Sequence, residues 1–181
     1  MKQPHFGWKC CFVTVCVWLF VVQTISGAAL HGVWKYHESG AGTAAEEMEM
    51  EMPGDNAEWW VFDYPERPEL SQTSRCVWVT TVLPSSQYYQ NPVLFFTTTE
   101  EAVRVYLDQE LLYQSGVFGL YHHTYGMSWH MVSLPPDFAG RQLTFELYSD
   151  HPERLGVIDD LSLDEGIYQM QRIFRHDITS I

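Results

Sequence analysis

From Ala57 onward, apolar and polar positions alternate in short runs with turn residues between them. In "RCVWVTTVLP", Val77, Val79 and Thr81 alternate with Trp78, Thr80 and Val82. In "EAVRVYLDQELLYQSG", Val103, Val105 and Leu107 point one way while Arg104 and Tyr106 point the other. Asp108-Gln109 occupies the tight-turn position between two such runs and predicts a hairpin. "RQLTFELYSD" sets Leu143, Phe145 and Leu147 on one face, and "AEWWVFDYP", "NPVLFFTTT" and "MSWHMVSLPP" are further extended runs. A period of two puts successive side chains on opposite faces of a strand, so Val103, Val105, Leu143, Phe145 and Leu147 are predicted core positions. The spacing of the runs, with Pro or Gly between most of them, predicts an all-β antiparallel sandwich.

Both ends of the chain depart from this pattern. From Gly166, Ile167, Met170, Phe174, Ile178 and Ile181 recur three or four apart, which predicts an amphipathic helix with Asp164 as N-cap. No stop signal closes that helix, and the chain ends there as if cut from something longer. Upstream, "HGVWKYH" predicts a short first strand. The Gly-, Ala- and Glu-rich stretch from Glu38 to Asn56 predicts a solvated connection rather than a methionine or metal site, because nothing apolar in it repeats at a core-forming period.

Lys2 and Lys9 precede thirteen apolar or near-apolar residues, "CCFVTVCVWLFVV", and then Ser26 and Ala28 at the spacing a signal peptidase accepts. The apolar run falls short of the roughly 20 residues that span a bilayer, which favours a cleavable signal over an uncleaved anchor. Either form predicts an extracytoplasmic domain, at the cell membrane or, if the signal is cleaved, exported. The organisation expected is a signal or anchor over residues 1–29, a sandwich over 30–166, and an amphipathic helix over 167–181 leading toward a membrane region absent from this chain.

Charge and cysteine content narrow the function classes. The chain has 10 Lys and Arg against 23 Asp and Glu, a balance that repels phosphate backbones and argues against nucleic acid. Of four cysteines only Cys76 lies outside the apolar N-terminal run, so no internal disulfide, zinc pattern or cysteine-based catalytic pair is expected. Aromatics make up 15% of the residues, enough for a sizeable core.

"VRVYLDQELLYQSG" followed by "SWHMVSLPPDFAGRQLTFELYSDHPERLGVIDD" resembles the galactose-binding-like jelly-roll. More narrowly, it is similar to the extracytoplasmic domain of bacterial membrane sensors, in which the sandwich precedes membrane helices and a diguanylate cyclase or histidine kinase domain. "QRIFRHDITSI" is similar to the short helix that leads into their first membrane helix. The resemblance covers roughly Trp59 to Ile181. It implies a ligand-sensing ectodomain that is not itself an enzyme, with an exported carbohydrate-binding module as alternative and a glycosidase-associated accessory domain as third choice. The chain departs from the family in carrying no membrane helices after Ile181 and no cyclase or kinase motif.

Three constellations could carry chemistry. His122, His123 and His130 sit within nine positions, but adjacent histidines on a strand face opposite ways, so a converging metal site is not expected. Asp159 and Asp160 could meet Asp137 or Glu165 around a structural calcium, yet no Asp-x-Asp-x-Asp loop is present, and no cofactor is expected. No nucleophile motif appears, and paired carboxylates in so small a sandwich read as solvated charges. The aromatics make the better case, because sugars stack on exposed rings and hydrogen-bond to nearby polar groups. Trp59, Trp60, Tyr125, Trp129, His130 and Arg104 are the candidate ligand-binding residues, with no catalytic or metal-binding residue among them. A small-molecule or carbohydrate ligand, the membrane and a second copy of the chain are the partners this reading admits.

Overall fold

The computed structural model describes residues 28–39, 51–54, 56–85, 89–119 and 126–179. The alternating runs form two antiparallel sheets. The smaller sheet holds β1 (Ala28–Ala29), β10 (Asp159–Glu165), β5 (Pro92–Thr99) and β8 (Met127–Ser133), in that order. The larger holds β3 (Trp60–Tyr64), β2 (Gly32–Ser39), β4 (Cys76–Val82), β9 (Gln142–Tyr148), β6 (Ala102–Leu107) and β7 (Glu110–Ser115). Helix α1, Gly166–Thr179, follows β10 directly. The expected all-β sandwich is therefore the architecture of the chain.

The core forms where the two inner faces meet. Trp34, Val77, Val79, Val103, Val105, Leu143, Phe145 and Leu147 from the larger sheet join Leu94, Phe96, Val132, Leu161 and Leu163 from the smaller. Phe145 sits at the centre, edge-on to Phe96 across the layers at 5.2 Å between ring centroids and stacked on Trp34 at 6.0 Å. The five core positions expected from alternation, Val103, Val105, Leu143, Phe145 and Leu147, are all fully buried. A one-residue slip would turn each of these to the outer face, so burial also locks the register. At one end the sheets are tied by the Tyr64 hydroxyl, which donates to the Ile158 carbonyl at 2.9 Å.

The predicted hairpin is present, with Asp108 at φ 56° in the turn between β6 and β7. Asp tolerates this left-handed conformation better than most residues. Its carboxylate accepts from the Gln142 N–H at 3.0 Å and from Arg141 Nε at 2.8 Å, tying the turn to β9.

Two sequence expectations need correction. Glu38 and Ser39 belong to β2 rather than to the connection, and the Glu38 carboxylate accepts from the Ser71 N–H and the Ser74 hydroxyl. Asp164 is not an N-cap. Its backbone is committed to the ladder with Val93, and its carboxylate accepts from the Glu165 N–H inside β10. The helix begins only at Gly166, whose N–H donates to the Asn91 carbonyl at 3.0 Å.

The side of α1 that is anchored to the sandwich is not its apolar stripe. The helix packs against β5 and β10, but the buried contact is polar. Gln169, 1% exposed, donates its amide to the Val93 carbonyl at 3.3 Å and to the carbonyl and hydroxyl of Ser162 at 3.1 and 3.2 Å. Ile167, Met170 and Phe174 of the apolar stripe are 60%, 47% and 59% exposed. Among the described residues no helix is long and apolar enough to cross a membrane. Residues 1–27, which carry the signal reading, and Ile181 lie outside the described residues, whereas Ala28 and Ala29 pair with Leu163 and Ser162.

Candidate functional site

The register of the larger sheet arranges its outer face in transverse rows, and those rows make the site. Lys35 pairs with Thr80, Thr80 with Thr144, and Thr144 with Tyr106, so four strands contribute one row of polar side chains. The next row runs His37, Trp78, Glu146, Arg104 and Gln114. Beyond it, Cys76, Tyr148 and Ala102 cluster with Phe118.

The middle row is a buried ionic network. Glu146 has no exposed surface, and Arg104 Nη1 lies 3.2 Å from its carboxylate. The Tyr106 hydroxyl donates to the same carboxylate at 3.0 Å. Arg104 Nε donates to Gln114 at 3.1 Å, and its guanidinium lies 4.1 Å over the Phe118 ring. Burial raises the Glu146 pKa, opposed by Arg104 and then by the Tyr106 hydrogen bond. Burial, followed by the Glu146 charge, pushes Tyr106 up to about 12. A charge taken this far out of water needs partners, and Arg104 and Tyr106 supply them. The Cys76 thiol at the end of the network is raised by burial and so stays a thiol. Trp78 is fully buried with its indole N–H unpartnered among the described residues.

The first row opens into a groove of about 740 Å³. Lys35, Thr80, Tyr106 and Gln142 form its floor, Trp59 and residues 51–54 one wall, and Asp108 and Gln109 of the hairpin turn the other. Trp59 lies beside His37, 5.7 Å between ring centroids. The Thr80 hydroxyl is fully engaged, donating to the Leu143 carbonyl and meeting Thr144 Oγ1 and Gln142 Nε2. Asp108 is held below the usual carboxylate range, first by its hydrogen bond from Arg141.

The residues singled out from sequence do not converge. Trp59 and Trp60 stand at the β3 edge of the larger sheet, with Trp60 packed on Tyr36 at 5.6 Å. Trp129 is exposed on the outer face of β8, at the opposite end of the sandwich, beside Met127 and Met131. Arg104 is spent on Glu146, Gln114 and Phe118. His130 is a core residue. Its Nε2 meets the Thr98 hydroxyl at 2.9 Å, its Nδ1 meets the Tyr113 hydroxyl at 3.1 Å, and its ring stacks on Phe96. Desolvation lowers its pKa to about 4, so it is neutral at physiological pH. Tyr125, His122 and His123 lie outside the described residues. Among the described residues no three His, Cys, Asp or Glu side chains converge as metal ligands. Sequence reasoning missed Lys35, Gln109 and Gln142. Lys35 and Gln142 lie in visibly alternating runs and Gln109 in the predicted turn, but the register that brings them together was not visible.

No known protein family matches the sequence, and no curated protein matches it. Among solved structures the chain is similar to a Faecalibacterium prausnitzii beta-glucuronidase, at 18% identity and a TM-score of 0.44. That match covers 68% of this chain and 21% of the glucuronidase chain, so this chain spans about a fifth of the length of that neighbour.

Proposed function

We propose that the chain is the extracytoplasmic, ligand-sensing domain of a bacterial membrane signal-transduction protein, with a sandwich of the galactose-binding-like jelly-roll type. The observation that carries this reading is the outward apolar stripe of α1. A free binding module would fold such a stripe back onto its sandwich, because apolar burial is the main stabilising term available to a short helix. Here Gln169 is buried instead, and Ile167, Met170 and Phe174 are left to meet an apolar partner. In a sensor that partner is the membrane or its neighbouring helices, and the sandwich passes ligand occupancy to it through β10. The output chemistry, a diguanylate cyclase or a histidine kinase, belongs to another part of the protein or to a partner, and this domain is not the enzyme.

Hydrogen exchange on the full chain, in buffer and with anionic phospholipid vesicles, tests the reading. The expected result is fast exchange from Met170 onward in buffer, slow exchange around Val105 and Phe145, and new protection of the helix on vesicles. Helix amides as protected in buffer as those of the core would remove the reading. The second reading, an exported carbohydrate-binding module, is favoured by the groove on the larger sheet. It would gain from that outcome.

A further inference from the structure

We infer that the groove across the outer face of the larger sheet binds a neutral saccharide, held between Trp59 and the Lys35–Tyr106 row. The inference deepens the ligand-sensing reading by naming the site and its ligand class, and it holds equally for a binding module.

Size comes first. A groove of about 740 Å³ lies within the roughly 300–1,000 Å³ range of small-ligand sites. Charge comes second. The chain as a whole is strongly acidic, net −13, yet among the described residues the groove faces one ammonium, Lys35, against one free carboxylate, Glu51. The other carboxylate, Asp108, is already paired with Arg141. A polyanion finds no excess of positive charge here, and a cation finds no excess of negative charge.

Hydrogen-bonding capacity is the third argument, and it selects most sharply. The Lys35 ammonium, the Trp59 indole N–H and the Gln109 amide have no hydrogen-bond partner among the described residues, nor does the Glu51 carboxylate. Gln142 donates its amide nitrogen to Thr80 Oγ1 at 2.9 Å, which leaves its carbonyl oxygen as an acceptor. The free set therefore mixes donors with acceptors. A hydroxyl group both donates and accepts, so a ring carrying several of them can satisfy such a set, whereas an apolar ligand would strand it.

The aromatic surface completes the match. Trp59 offers a ring at the wall. Tyr106 is fixed in the floor, with its ring 5.6 Å from Trp78 and its hydroxyl committed to Glu146. The buried network beneath thus holds the floor rigid before the ligand arrives, which lowers the ordering cost of binding.

The test is titration calorimetry of the full chain with neutral pentasaccharides of glucose, xylose, mannose and galactose, alongside a uronate pentasaccharide and free amino acids. At least one neutral pentasaccharide is expected to bind, with Trp59→Ala and Lys35→Gln each weakening it by about tenfold or more, equal to about 1.4 kcal/mol. Gln72→Ala, on a separate surface, should bind as the unaltered protein does. Melting curves of each variant confirm folding, and Lys35→Gln, an exposed change, keeps the test decisive if Trp59→Ala does not fold. The inference falls if no neutral pentasaccharide binds, if only the uronate or the amino acids bind, or if both groove variants bind unchanged. None of those results touches the exchange behaviour of α1, and a protected α1 would leave the groove in place.

Discussion

Phe145 and Glu101 mark two kinds of buried residue, one satisfied and one not. Phe145 fills the space between Phe96 and Trp34, and Phe145→Ala should destabilise the fold by about 3–5 kcal/mol in denaturant unfolding. Glu101 is fully buried at the turn between β5 and β6. One of its oxygens accepts from the Gly156 N–H at 2.6 Å, and the other has no partner among the described residues. Burial raises its pKa well above the ordinary carboxylate value. The folded state therefore holds this proton longer than the unfolded chain does, and stability is lost as pH rises above the unfolded pKa. Glu101→Gln removes the buried charge and should raise stability at pH 7 while flattening that slope. A variant less stable than the parent at neutral pH, with the slope intact, would contradict this.

At the scale of elements, helix α1 depends on one glutamine. Gln169→Leu removes hydrogen bonds to Val93 and Ser162 and should release the helix from β5 and β10. Faster amide exchange in α1, with little change in the exchange of β4 and β9, is the expected signature. The strands themselves were largely legible, because alternation is local: Val103 and Val105 declare their face within six residues. The helix was legible as an amphipathic pattern, but that pattern shows that a stripe exists and not what it faces. The groove was the least legible element. Lys35, Thr80, Thr144 and Tyr106 lie far apart in sequence and meet only through the pairing order β2-β4-β9-β6. His130 shows the same limit. Its inward face could be read from the strand, but its partners Thr98 and Tyr113 come from β5 and β7.

For the whole molecule, buried titrating groups set opposing responses to pH. His130 is held at about 4, below its ordinary 6.5, so between those values the unfolded chain takes up a proton that the folded chain refuses. Stability should therefore fall on acidification through that window, while Glu101 and Glu146 push the other way as pH rises past the carboxylate range. Unfolding free energies measured from pH 4 to 8 should show a decline below pH 6.5 that His130→Gln reduces, since glutamine can still reach Thr98 and Tyr113 without titrating. An identical decline in that variant would place its origin elsewhere. The two ends of the sandwich also differ in character. The β3 end carries Trp59 and the groove, and the β8 end exposes Met127, Trp129 and Met131.

Gly166 has a mechanical consequence. No linker separates β10 from α1, the Gly166 N–H is fastened to Asn91, and the Glu165 carboxylate grips the Gln90 and Asn91 amides at 2.5 and 3.0 Å. The junction is a clamped pivot, and α1 beyond it becomes a stiff arm once its apolar stripe is covered by a partner. Fourteen helical residues make a lever of about 21 Å, so a tilt of about 5° at the clamp carries the far end sideways by about 2 Å. A displacement too small to disturb the sandwich is thus amplified where the arm ends.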